Sequence, residues 1–215
     1  MFETSRERIS VEPIDPAEIS VDASTHVFAI CISRDRVPIV GVRRTSFVYQ
    51  SIMTKRKTFT EILPVDTRVL KYMYANEVKD IYSRLIVDSD ECTPPAMCSV
   101  IADGFEELVL LGGCVSSGET IYQCLEREMR EESDAAITVH HFGNKAVKLS
   151  IEDKILGKRY TGYCLLCFID QLYREVRGSV LYNFEIKNLC SLLEKKNDEK
   201  YGYLHFIYNT LISSK

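Results

Sequence analysis

HVFAICI (26–32) and VPIVGVRR (37–44) are short apolar runs on either side of the turn-like SRDR, and they predict two strands joined as a hairpin. Beyond a polar stretch around TKRKTFTE, Val69, Tyr72, Val78 and Ile81 recur at helical spacing within 67–86, which predicts an added helix lying against the core. Pro94-Pro95 in DSDECTPPAMCSVIAD (88–103) marks a loop or linker, because proline breaks regular elements. FEELVLLGG then predicts a strand ending in two glycines, GETIYQCLEREMREES a helix, and AVKLSI and YTGYCLLCFI two more strands. NFEIKNLCSLLEKK and YGYLHFIYNTLI predict further elements, the last a helix packed on the domain. Strands around a central helix give the class α/β or α+β and leave the sheet topology open.

The central helix carries a second pattern. With Ile121 at zero and about 100° per residue, Leu125 falls near ~40°, Met129 near ~80° and Cys124 near ~300°, which defines a core-facing stripe. Glu132 and Glu128 land inside that stripe and Glu131 on its flank, while Glu126 and Arg130 point to the opposite side. Two carboxylates one turn apart on a core-facing side repel one another and resist desolvation unless a counterion compensates. A divalent cation does so: oxygens at i, i+3 and i+4 can converge on a hard ion such as Mg2+ or Mn2+, which also holds phosphates. Spacing alone suits a solvated acidic face better. Gly112-Gly113 ahead of the helix and the pairing of Glu119 with Arg127 turn the reading toward a site. Glycines permit close phosphate approach, and a bidentate arginine orients carboxylates.

Composition narrows the setting. A chain of 215 residues, 46% hydrophobic, has apolar material for one compact core and a small appended element. The expected organisation is an amino-terminal extension (1–24) packed on a domain spanning 25–215, with a helical insertion at about 66–87. Residues 1–24 lack the apolar block of a secretory signal and no transmembrane-length apolar run occurs, so a soluble cytosolic protein is expected. The eight cysteines are scattered through apolar segments and read as reduced core thiols. Cys164 and Cys167 have zinc-knuckle spacing but no matching second pair. A net charge of −4 argues against coating long nucleic acid, yet leaves room for recognition of one RNA end by a patch such as Arg43, Arg44, Lys55, Arg56 and Lys57. His140-His141 should face opposite ways on an extended segment, and Ser116-Ser117 lacks a nucleophile elbow.

The stretch from Gly113 to Asp134 resembles the Nudix box: Gly113, five residues, Glu119, seven residues, then Arg127-Glu128-Met129 followed by Glu131-Glu132. Asp134 stands where the box has its second glycine, which puts the turn leaving the helix in question. THVFAICISRD, GVRRTSF, FEELVLLGG, REMREESD and KYGYLHFIYN extend the resemblance, over most of the chain, to the early-expressed poxvirus mRNA-decapping branch of that family. The resemblance implies a Nudix fold, a mixed sheet sandwiched by helices, with an added helical element and an amino-terminal extension. It implies hydrolysis of the 5′ cap of viral and host mRNA in the host cell cytoplasm, driving host mRNA turnover and translation shutoff. The products would be 7-methylguanosine diphosphate and 5′-monophosphate RNA, with Mg2+ or Mn2+ required; the resemblance implies no stable protein partner.

Residue by residue, the family pattern makes Glu128, Glu131 and Glu132 metal ligands, with Glu131 and Glu132 catalytic and Glu132 assisting water activation. Glu119 and Arg127 would hold the helix and its carboxylates in place. A further metal carboxylate from outside the box is Glu185 in LYNFEIKNL, preferred over Glu175 in YREVRG because an acid is unexpected in an apolar stretch. Similarity to the viral enzymes assigns the methylguanine sandwich to Phe47 and Tyr160 and the guanine-reading acids to Glu7 and Asp153. Each of these four also has an ordinary reading, as core filling for the aromatics and surface charge for the acids. A Nudix hydrolase for free nucleotides and a cap-binding regulator without turnover are the competing functions.

Overall fold

A computed structural model describes residues 1–22, 24–55, 65–85, 105–195 and 199–213; the Pro94-Pro95 segment, Arg56 and Lys57 lie outside the described residues. The chain forms two compact units, Met1–Val42 with Leu108–Lys215, and Arg43–Glu107. The strands are β1 (Phe2–Glu3), β2 (Glu7–Ile14), β3 (His26–Ile32), β4 (Pro38–Arg43), β5 (Glu107–Val109), β6 (Leu111–Cys114), β7 (Val139–Asp153), β8 (Lys158–Ile169) and β9 (Phe184–Asn188). Among the described residues the α-helices are α1 (Phe47–Lys55), α2 (Ala75–Leu85), α3 (Ile121–Glu132) and α4 (Glu199–Ser213).

The sheet of the first unit runs β1-β2-β7-β8-β3-β4-β5, with β6 added on β3 and β9 on β4. It is mixed: β3 lies parallel to β8, whereas β2 with β7 and β7 with β8 are antiparallel. One edge of β3 is shared, by β6 through residues 26–29 and by β4 through Cys31 and Ile32, which curls the sheet at this strand. Side chains of β3 alternate between two cores. Val27, Ala29 and Cys31 join Leu111 and the α3 residues Ile121, Cys124, Leu125 and Met129. Ile30 and Ile32 join Leu149, Cys164 and the α4 residues Leu204, Ile207 and Leu211. A strand buried on both faces reads as an unbroken apolar run, which is why HVFAICI shows no alternation. The unit is thus the mixed sheet between helices of a Nudix fold. The first residues contribute two of its strands, and β2 pairs along its whole length with β7.

The helix α3 begins at a capping box, in which Thr120 Oγ1 accepts the Gln123 N–H at 3.2 Å and Gln123 Oε1 accepts the Thr120 N–H at 2.9 Å. Its four buried residues are those of the computed stripe, and Glu126 and Arg130 are exposed. Elsewhere the pattern misled. The single helix expected over 67–86 is a 3-10 turn, Thr67–Tyr72, followed by α2. The break arises because buried Glu77 accepts the Tyr74 N–H at 2.9 Å, and the Ser46 N–H and Oγ–H at 2.8 and 2.7 Å, fixing a new helix start. The strand expected from FEELVLLGG divides at Leu110, and AVKLSI is the middle of the long β7. NFEIKNLCSLLEKK is β9 and a 3-10 turn, separated where Asn188 Oδ1 accepts the Cys190 N–H at 2.8 Å. His140 and His141 do not face apart: the register shift between Val139 and His141 brings their rings edge to face at 5.0 Å.

Among the described residues no helix is long and apolar enough to cross a membrane. The six described free cysteines include buried Cys31, Cys124, Cys164 and Cys167. Leu125 is fully buried between α3 and the sheet. Leu125→Ala should therefore destabilise the protein by about 2–5 kcal/mol, read as a lowered urea midpoint by circular dichroism.

Candidate active site

The strand β6 delivers Gly112 and Gly113 to the amino-terminal approach of α3, and the intervening loop is tied back on itself. Glu119 Oε2 accepts the Ser116 N–H at 2.9 Å, while both Glu119 oxygens accept from Arg127, at 2.9 Å from Nε and 3.1 Å from Nη2. The same guanidinium donates to Glu128 Oε1 at 2.7 Å through Nη1 and to the Cys114 carbonyl at 3.2 Å through Nη2. Glu131 Oε2 lies 3.6 Å from Nη1. Arg127 thus gathers three box carboxylates, and its hydrogen bonds hold the Glu119 carboxyl down at about 2, below its ordinary 4.5.

Glu132 takes a different partner, accepting the Gly112 N–H at 3.1 Å through Oε2. Gly112 sits at φ 130°, in the half of the map that favours glycine. At Gly113 the constraint is space: a Cβ there would come 2.4 Å from Glu128 Oε1. The two glycines therefore let the acids of α3 lie against β6. Glu128, Glu131 and Glu132 are all partly buried. Among the described residues no three His, Cys, Asp or Glu side chains are gathered as a ready-made metal site; the box acids face Arg127 and Gly112.

The helix leaves through Asp134 at φ 49° and Ala135 at φ 62°. Asp134 thus takes up the left-handed turn that a glycine would, as short polar residues can. Its carboxylate accepts the Ser179 Oγ–H at 2.6 Å and the Val180 N–H at 3.0 Å, and the Ser179 N–H donates to the Glu132 carbonyl at 2.8 Å. Phe184, the first residue of β9, donates its N–H to the Ser179 carbonyl at 2.9 Å. Glu185 follows directly on β9 and is partly buried. Glu175 is exposed, and its Oε2 accepts the Leu172 N–H at 2.8 Å in a local turn.

A second acid assembly lies elsewhere in the same unit. Glu7 and Asp153 are directly opposite one another across β2 and β7. Arg6 Nε approaches Glu7 Oε1 at 3.7 Å and Asp153 Oδ2 at 3.6 Å, and Arg6, Glu7 and Asp153 are 4%, 8% and 1% exposed. Asp153 Oδ1 also accepts the Ile155 and Leu156 N–H groups at 2.9 and 2.8 Å. Tyr160, opposite Ile151 on β8, has its hydroxyl pushed up to about 12, first by burial and then by the charges of Asp153 and Glu7. Burial likewise raises Tyr203 of α4, with Glu7 next in effect. Three of the four proposed cap residues are therefore neighbours in one unit. Phe47 belongs to the other, at the start of α1, where its N–H donates to Glu107 at 3.1 Å and the Arg43 guanidinium lies 4.5 Å from its ring centre. The sequence reading missed Arg6 and Tyr203; only the charge next to Glu7 in SRERI and the aromatic in KYGYLHFIYN hinted at them.

No protein-family model matches the chain. Full-length relatives do. The chain is 55% identical over 214 residues to a fowlpox virus (strain NVSL) protein named as a Nudix hydrolase, covering all of this chain and 89% of the relative. It is 45% identical over 215 residues to a monkeypox virus mRNA-decapping protein, of which 96% is covered. A rabbit fibroma virus (strain Kasza) mRNA-decapping protein is 42% identical over 214 residues and 98% covered.

The depressed Glu119 carboxyl has a consequence for acid stability. Its folded value of about 2 lies below the ordinary 4.5, so the unfolded chain takes up the proton first as pH falls. The stabilisation is fully present above pH 4.5 and is lost between there and about 2. Glu119→Gln should flatten the fall of stability across that window, measured by urea unfolding at stepped pH.

Proposed function

Because the chain belongs to the poxvirus Nudix hydrolase family that includes those mRNA-decapping proteins, we propose that it removes the 5′ cap of viral and host mRNA in the host cell cytoplasm. The products are 7-methylguanosine diphosphate and RNA with a 5′-monophosphate. The observation that carries the reading is the Arg127 fork. Glu128 and Glu131 already share one positive group, at 2.7 and 3.6 Å, so these two acids lie close enough to share a cation. Their oxygens are the hard donors that Mg2+ and Mn2+ prefer. Glu128, Glu131 and Glu132, with Glu185, are the residues that would hold the metal. When bound, it supplies neutralisation of the phosphate bridge and an acidified water.

The remaining work falls to this chain's own groups. Glu132, steadied by the Gly112 N–H, accepts the proton of the attacking water at a carboxylate oxygen. Glu119 and Arg127 fix the angle at which α3 presents its acids. Glu7 and Asp153 accept the Watson–Crick-edge hydrogens of guanine, and with Arg6 between them they form a triad of net charge −1 that favours the positive N7-methylated ring. Tyr160 offers an aromatic face beside them, and Phe47 is the candidate for the second.

Cap-labelled RNA with Mg2+ or Mn2+ should release 7-methylguanosine diphosphate. Release of the monophosphate or of inorganic pyrophosphate overturns the assigned bond, and preference for free nucleotides overturns the RNA substrate. Glu132→Gln should abolish turnover with the fold retained, and Glu119→Gln should lower activity by about 10–100-fold. Tyr160→Ala and Phe47→Ala, tested separately, should each raise KM for capped RNA more than they lower kcat.

A further inference from the structure

Between Ser179 and Phe184 the first unit carries three consecutive large side chains into solvent: Val180, Leu181 and Tyr182 are 88%, 81% and 52% exposed. Such a cluster normally folds inward or marks a binding surface. Here inward collapse is prevented by the way the loop is rooted. Ser179 is fully buried and is held to the end of α3 by the Glu132 carbonyl and the Asp134 carboxylate, and Asp134 also takes the Val180 N–H. Ser179 closes the turn as well, its Oγ accepting the Tyr182 N–H at 3.0 Å and its carbonyl the Phe184 N–H at 2.9 Å. Asn183 takes the left-handed conformation, at φ 57°, that the closure needs.

Asp134 is the residue that departs from the Nudix box. At φ 49° it makes the turn a glycine would make, and it adds a carboxylate that a glycine lacks. The departure therefore exchanges conformational ease for a clamp, and the clamp fixes this one loop to the helix that bears Glu128, Glu131 and Glu132.

We propose that the clamped loop seats the RNA strand, with the first bases beyond the phosphate bridge stacking on Tyr182 and packing on Leu181 and Val180. The inference rests on the reading of α3 as the place of cleavage. One root of the loop is bonded to the Glu132 carbonyl and the other runs directly into Glu185, so the loop is joined at both ends to residues read as holding the metal. Exposed Arg177, just ahead of the loop, supplies a cation for the strand's phosphates. Apolar and aromatic faces bind bases without regard to sequence, which suits a substrate whose body varies from one message to the next.

The test is binding of a short capped RNA, labelled at its 3′ end, followed by fluorescence anisotropy without divalent cation. Leu181→Ser combined with Tyr182→Ser should weaken the RNA by about tenfold, the loss of a stacked base, while affinity for 7-methylguanosine diphosphate is retained as the check on folding. Asp134→Gly, which keeps the turn and removes the clamp, should weaken RNA in the same direction by less. Unchanged RNA affinity in the double variant with cap nucleotide still bound overturns the proposal. So does loss of self-association in place of RNA binding, which would assign the loop to a second copy of the chain. Uncapped RNA separates the two readings: loop-dependent binding by a protein that ignores the cap overturns decapping and leaves the RNA seat standing.

Discussion

The guanidinium of Arg127 is the group on which the site depends. It reaches the loop through Glu119, the end of β6 through the Cys114 carbonyl, and its own helix through Glu128 and Glu131. Only a planar fork with several donors can serve so many acceptors at once; a lysine would offer one point charge and no bidentate geometry. Packing supplies the second constraint on the same helix, because Cys124, Leu125 and Met129 fix the rotation that sends the acids toward β6. A helix held by both its apolar stripe and an ionic fork has little freedom to turn. The carboxylates can therefore lie close together, a placement that repulsion would otherwise oppose.

The sheet solves a different problem for the second group of acids. Charges as buried as Arg6 and Asp153 need partners, and β2 lies beside β7 in a register that sets Glu7 opposite Asp153 and brings Arg6 to both. A slip of one residue would send these side chains to the other face. Eight consecutive pairs between the strands guard that register. Hydrogen bonds from Ile155 and Leu156 to Asp153 hold the acid from the turn side as well.

How much of this could be read beforehand varied with where each residue's partners lie. HVFAICI was legible because burial on both faces writes itself as an unbroken apolar run, and α3 because its apolar stripe is local. The turn of α3 on which each box acid lies was legible through spacing, whereas nothing in the local pattern set Glu7, Asp153 and Tyr160 near one another; that placement comes from the register of β2, β7 and β8. The break before α2 was hidden, since it depends on Ser46 reaching Glu77 from far along the chain. Arg6 was hidden for a related reason: among the charges of SRERI it looks like surface, and one of the acids beside it, Asp153, lies far along the chain. Asp134 showed as a missing glycine, while its bond to Ser179 could come only from the fold.

Pairing β2 with β7 also orders events in time. The amino-terminal strand finds its neighbour only after residue 153 has been made, and β3 must likewise wait for β8. Such pairings between distant parts of the chain form late and slowly. A ribosome-bound intermediate shorter than this has Glu7 without Asp153, so an unfinished polypeptide carries the first acid with no strand to pair it and no partner opposite it.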